Sequence, residues 1–208
     1  MGRISRMDNK SFLKLGGLQK RWLRNTASVV AALGLVCVLA VTASFSAYYF
    51  SNMESDLKYR ARTTTDFFSG YLDQTYNEFY RSCITYAQTF EDKDNLELQF
   101  INNHGELVAS SYGNWAGKSP RTPEIAQAVT SRYPEPYLGK DPDTGERIMA
   151  VSSPMIYSNG EVIGVLRYVT SVRKVDAQIG EVALISSGVL LAILIVVLVS
   201  SNYYLRSI

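Results

Sequence analysis

The residues most often recruited for catalysis are scarce in this chain, which has one histidine and two cysteines among 208 residues. No Ser-His-Asp set, no metal-spaced Cys/His cluster and no phosphate-binding loop can be assembled from it, so the chain by itself is not expected to be an enzyme. The single histidine, His104, falls in the turn sequence Asn102-Asn103-His104-Gly105 and reads as a solvated polar residue. Cys37 lies in a long apolar run and Cys83 in the segment that follows it, so the two are not expected to pair within one chain. Cys83 could cross-link two protomers if its helix faced a partner. As a half-buried small hydrophobe it would not.

Charge is also missing, from two long windows. There is no Asp, Glu, Lys, Arg or His between Asn25 and Met53, and none from Val182 to Leu205. Crossing a bilayer needs about 20 predominantly apolar residues. Both windows are long enough, which excludes a simple soluble enzyme. The first apolar run, Ala27–Phe50, exceeds the roughly 7–15 residues of a cleaved signal peptide and ends in the aromatic collar Tyr48-Tyr49-Phe50, so a retained anchor is expected.

The remaining charge is unevenly divided. The leader to Asn25 carries +6, residues 51–181 carry −5, and Arg206 adds +1, which returns the net +2 of the whole chain. Basic flanks stay on the cytoplasmic side of a span. Residues 1–26 are therefore expected as a cytoplasmic tail, 27–50 and 182–204 as spans of a cell-membrane protein, 51–181 as an extracytoplasmic domain, and 205–208 as the start of a cytoplasmic linker. The positive balance is a tail effect, and nucleic acid is not an expected partner.

Within the outer segment no proline interrupts Glu54–Phe90, and Leu57, Ala61, Phe68, Leu72, Tyr76, Phe79, Cys83, Tyr86 and Phe90 recur at helical spacing. One rod continuing the first span is expected, with Gly70 a mild weakness in it. Strands follow at Leu96–Ile101 and Leu107–Ser111. A short helix opens at Thr122-Pro123-Glu124, with Thr as its N-cap and Ile125, Ala128 and Val129 turned inward. Further strands are expected at Tyr137–Lys140, Ile148–Tyr157 and Val162–Thr170, the last two joined at Asn159-Gly160. From Val172 the pattern is helical again. The fold class is α+β: two transmembrane helices flanking a domain with one antiparallel sheet of about five strands and a long N-terminal helix.

Several of these segments carry a family resemblance. They are Leu96–Ile101, the turn ending in Gly105, Leu107–Ser111, Thr122-Pro123-Glu124-Ile125, Asp143-Thr144-Gly145-Glu146, Ser152–Ile156, Gly160–Leu166 and Val172–Ile179. Their order resembles the extracytoplasmic PAS-like sensor, of single Cache (PDC) type, in bacterial two-component histidine kinases, and is similar to the sensor halves of WalK-type kinases. The resemblance implies a HAMP linker beginning near Ile208, then a kinase module that would bring ATP, Mg and a response regulator. The phospho-accepting His and Gly-rich ATP domain of such kinases are not in these 208 residues. Chemoreceptors and cyclic-dinucleotide enzymes share this front end, and a two-span envelope scaffold is the reading from another class.

The resemblance also implies a ligand between the sheet and the segment of loop and short helix, here carrying Tyr112, Trp115, Arg121, Tyr133 and Tyr137. Arg147 and Arg167 each stand among apolar strand neighbours and need an anion, since an unpaired buried charge costs several kcal/mol. Turn length decides whether they cooperate. A two-residue Asn159-Gly160 turn sets Arg167 opposite Ser152 and sends Arg147 to the other face; a three-residue turn sets Arg167 opposite Val151, beside Arg147. Only the second allows a shared clamp for an anionic small molecule. In the plainer alternative Arg147 sits near the sheet rim and Arg167 is paired to an internal Glu. Asp141, Asp143 and Glu146 do not follow a calcium-loop pattern and read as a solvated turn. The expected unit is a parallel homodimer with the Leu57–Phe90 stripe in its interface; the competing expectation packs that stripe on the domain's own sheet.

Overall fold

The computed structural model describes residues 17–69, 76–113, 119–157 and 159–207. The leader's first 16 residues, Gly70, Leu72, Trp115, Gly117 and Ser158 lie outside the described residues. Five strands form: β1 (Glu97–Asn102), β2 (Leu107–Ser110), β3 (Glu135–Lys140), β4 (Arg147–Ile156) and β5 (Val162–Ser171). Helices are α1 (Gly17–Ser69), α2 (Tyr76–Thr89), α3 (Glu124–Ser131) and α4 (Arg173–Ser207). The chain divides into two compact units, one made of the chain up to Phe45 and from Ile179 onward, the other of Ser46–Gln178.

The first unit holds two helices long and apolar enough to cross a membrane. Their large apolar side chains, among them Leu33, Val36 and Leu39 of α1 and Leu184, Leu191 and Val196 of α4, are exposed. The helices approach each other where Gly34 faces Leu190, since a Cβ on Gly34 would overlap Leu190 Cδ1. Small residues permit such close approach between apolar helices, where lipid gives no hydrophobic drive to associate.

In the second unit the spatial order is β2-β1-β5-β4-β3, with every neighbouring pair antiparallel. Side chains alternate across a strand, and here the alternation is clean. Leu98 and Phe100 of β1, Leu166 and Tyr168 of β5, and Met149, Val151 and Met155 of β4 share one face and form the main core. Helices α1 and α2 cover it with Leu57, Ala61, Phe68, Phe79, Cys83 and Ala87, spaced four or seven apart within each helix. Thr64 of α1 meets the Tyr168 hydroxyl at 2.9 Å, and Thr65 donates to Ser153 Oγ at 3.1 Å, which fixes α1 across the sheet. The other face carries Ile148, Ala150 and Val169 with Tyr137 packed on them, and α3 lies on that side.

The expected single rod over 54–90 is corrected: α1 ends at Ser69 and a separate α2 starts at Tyr76, both on the same face of the sheet. The stripe assigned to a dimer interface is corrected with it. Leu57, Ala61, Phe68, Phe79 and Cys83 are at most 5% exposed within one chain, so they pack on their own sheet. Cys83 is fully buried, and burial pushes its thiol pKa up to about 12. Burial likewise raises the Tyr168 hydroxyl to about 12. Both groups stay neutral in the folded unit while the unfolded chain ionises from about pH 9–10. Stability is therefore expected to be level below pH 9 and to fall as pH rises from 9 toward 12. Iodoacetamide at pH 8 should leave Cys83 unmodified until denaturant is added; rapid native-state labelling would contradict its burial.

The β4–β5 hairpin follows neither simple register. Tyr157 and Glu161 close the turn, the Tyr157 amide donating to the Glu161 carbonyl at 2.8 Å, and Gly160 supplies a φ of +84°. That is the three-residue turn. The pairing then shifts by one residue between Ile156↔Val162 and Met155↔Gly164, so Arg167 ends opposite Ser152. The extra residue is a β-bulge, and it undoes the register that the turn began. Gly164 is required beside it, since a Cβ there would come 2.5 Å from the Ile101 carbonyl oxygen of β1.

Helix α3 begins differently from expectation. Its N-cap is Pro123 and no side chain caps it; Thr122 Oγ1 instead donates to Glu124 Oε1 at 2.7 Å. Glu124 and Ala128 are the buried residues, whereas Val129 is exposed. The helix stops at Arg132, which has φ +62°. A non-glycine residue in this left-handed region costs about 1 kcal/mol, which explains why Gly or Asn is usual there.

Candidate functional site

Face alternation decides which polar groups meet. Gln99, Arg167 and Ser152 lie side by side on β1, β5 and β4, all facing α3. Arg167 is 1% exposed and Glu124 is fully buried. The guanidinium is bonded on all three nitrogens: Nε donates to Glu124 Oε1, Nη1 to Gln99 Oε1 and Nη2 to Thr122 Oγ1, each at 2.8 Å. Gln99 Nε2 passes the chain on to Glu97 Oε1 at 2.8 Å, and Ser110 Oγ donates to the same oxygen at 2.6 Å. The Tyr112 amide then donates to Ser110 Oγ at 3.1 Å. One network thus runs from α3 across β5 and β1 to the end of β2. Two buried atoms, Glu124 Oε2 on the network and Ser152 Oγ on the strand position opposite Arg167, have no hydrogen-bond partner among the described residues. Buried oxygens of this kind are ordinarily met by water or ligand.

The sequence-predicted residues separate. Arg167 and Tyr137 stand on the α3 face, Tyr137 half-buried on the Ile148–Ala150–Val169 patch with its hydroxyl donating to the Lys140 carbonyl. Tyr112 is half-exposed at the end of the network. Its hydroxyl pKa is raised by partial burial and then by the carboxylates of Glu97, Asp94 and Glu146. Arg121 is exposed beside Thr122, and Trp115 lies outside the described residues. Tyr133 is exposed on the α3–β3 turn, beside a cleft lined by α1 residues.

Arg147 and Arg167 do not form a clamp. Arg147 projects to the face carrying α1, where Nη1 pairs with Asp176 of α4 and the guanidinium stands 5.2 Å from the centre of the Phe50 ring. The reading in which Arg167 pairs with an internal Glu describes the arrangement found. Gln99, Thr122, Glu124 and Glu97 were not singled out from sequence as site residues. Gln99 carried a usable signal, a polar residue between Leu98 and Phe100 in a strand otherwise buried on both faces.

A five-stranded antiparallel sheet in the order 2-1-5-4-3, with helices packed on one face and a short helix crossing the other, is the PAS-like fold of extracytoplasmic sensor domains. The fold has a counterpart among solved structures. The ligand-binding domain of Mlp24 with asparagine is similar at 17% identity and TM-score 0.53, over 79% of this chain and 64% of that one. The Campylobacter jejuni chemoreceptor Tlp3 ligand-binding domain in complex with L-valine matches at 14% identity and TM-score 0.49, over 82% of this chain and 68% of that one. The sensor domain of the V. cholerae histidine kinase DctB matches at 16% identity and TM-score 0.49, over 75% and 58%. The chain thus spans between 58% and 68% of the length of these chains. No family model matches the chain, and no curated protein matches it by sequence.

Proposed function

We propose that the protein is a membrane-anchored signal sensor, with spans at 27–50 and 182–204, residues 51–181 outside the cytoplasm and both termini inside. One observation carries the reading: a PAS-like sheet whose first and last helices each run into a stretch of exposed apolar side chains. The +6 leader and −5 middle segment support the orientation. The signal is a small molecule taken on the α3 face, with Tyr112, Arg121 and Tyr137 as contact residues and Trp115, outside the described residues, as a fourth. The full Arg167–Glu124–Gln99–Thr122 network leaves no free guanidinium there, so the anion clamp drops out of the reading. Amino acids are the first class to test; the Mlp24 and Tlp3 domains were solved with asparagine and L-valine.

The output is a histidine kinase of the WalK type, in line with the motif order, and a parallel homodimer is the signalling unit. ATP, Mg and a response regulator belong to that output module. A shift of α4 against α1 passes the signal inward. The test uses the 208-residue chain in nanodiscs, titrated with L-asparagine, L-valine and succinate while its unfolding temperature is followed. The expected result is a saturable rise with one of them that Tyr112→Ala abolishes. Flat curves for these three and for the remaining amino acids would refute the α3-face site. Joined at Ile208 to a histidine-kinase module, the chain should show autophosphorylation that depends on the same molecule.

A further inference from the structure

At the end of β4 the domain carries a second concave surface. A cleft of about 650 Å³ opens between the outer side of α1, the end of β4 and the α3–β3 turn. Its floor is apolar, with Phe68, Pro154 and Met155, and its mouth is flanked by the rings of Tyr59 and Tyr133. Those rings are 71% and 70% exposed. Lys58, Arg62 and Arg132 line the same space against one carboxylate, Asp66. Lys58 is engaged one helical turn away by Glu54 at 2.7 Å. Among the described residues the Arg62 and Arg132 side chains have no ion pair and no hydrogen bond.

Two features set this cleft apart from ordinary surface. The segment 51–181 has net charge −5, so a locally positive hollow is not what its composition supplies. Arg132 is also the only non-glycine residue at positive φ among the described residues. A glycine would hold that helix end more comfortably, and what the arginine adds is a guanidinium on the cleft. Strain kept where a plain residue would relieve it points toward function.

We propose that the cleft binds a small organic anion, a carboxylate or phosphate monoester on an aromatic or aliphatic body. The forked donors of Arg62 and Arg132 suit the two or three oxygens of such a head group. The body lies on the apolar floor between the two tyrosine rings. The volume falls within the range of small-molecule sites, about 300–1,000 Å³. A ligand here joins α1 to the α3–β3 turn. None of Tyr112, Arg121 and Tyr137 lines this cleft, so the site is separate from the one in the sensor reading and stands or falls without it.

The test is isothermal titration of the 208-residue chain, in nanodiscs of zwitterionic lipid, with phenyl phosphate. Benzyl alcohol and benzylamine serve as neutral and cationic comparators. Phenyl phosphate is expected to saturate one site per chain, to weaken as salt is raised, and to outbind both comparators. Arg62→Gln and Arg132→Gly should each weaken it by about tenfold or more, the effect of losing one charge-assisted pair, whereas Arg147→Gln should not. Arg132→Gly relieves the left-handed strain and should melt no lower than the parent, so lost binding there is not lost folding. Benzyl alcohol binding as well as phenyl phosphate, or either arginine variant binding unchanged, would overturn the proposal. Such a result leaves the α3-face titrations untouched.

Discussion

Replacing Arg167 by methionine is expected to destabilise the PAS-like domain by about 3–5 kcal/mol, the usual cost of removing one partner from a buried ion pair. The side chains of Arg167 and Glu124 are 2% and 0% exposed, so water cannot take over the lost contacts. Three acceptors, Glu124, Gln99 and Thr122, lose their common donor at once. The measurement is the urea midpoint of the 208-residue chain followed by far-UV circular dichroism, at unchanged slope. The companion variant Arg167→Met/Glu124→Leu should recover most of the loss, because an apolar pair of similar volume often equals or exceeds a buried ion pair. If the single variant costs under about 1 kcal/mol, the pair is more hydrated than its burial implies. Such a result would also return Arg167 to the list of ligand-binding groups.

Phe68→Ala is the second large effect, expected at about 3–5 kcal/mol for an aromatic residue truncated in a packed core. Phe68 is 2% exposed. Its ring meets Phe100 at 5.1 Å and Tyr86 at 5.2 Å, both nearly perpendicular, and Phe79 at 6.1 Å. Edge-to-face contacts of this kind add about 0.5–1.5 kcal/mol beyond area burial. One side chain therefore joins the end of α1, helix α2 and strand β1. Hydrogen exchange should show the consequence by position. Amides of α2 and of the last turns of α1 are expected to lose protection before those of β4 and β5. Uniform loss across the domain would mean that these helices and the sheet open as one unit.

The strands were legible because an antiparallel sheet covered on both faces still separates its two faces by period-two alternation. Ile148–Tyr157 and Val162–Thr170 in sequence become Arg147–Ile156 and Val162–Ser171 in space. The helical stripe from Leu57 to Phe90 was equally legible, but periodicity says only that a face is covered. It does not say by what, nor whether one helix or two present it. No proline stands between Ser69 and Tyr76 to announce two helices, and Gly70 reads as no more than a mild weakness in one. The bulge near Ile163 was illegible for another reason, since it changes backbone spacing without any special residue in the turn. Glu124 and Arg167 are 43 positions apart. Nothing local links Thr122-Pro123-Glu124, which looked like a helix start, to a strand at the centre of the sheet.

The contacts of Arg147 have a mechanical meaning. One guanidinium touches Phe50 near the start of the domain's share of α1 and Asp176 in the first turn of α4. Half-exposed ion pairs contribute about 0.2–1 kcal/mol and exposed cation–π contacts about 0.5–1. Together they amount to about one to three times RT. A junction of that strength behaves as a detent: it holds two rods in a preferred setting at rest, yet it yields to the differential affinity of a ligand bound only modestly more tightly in one setting than the other.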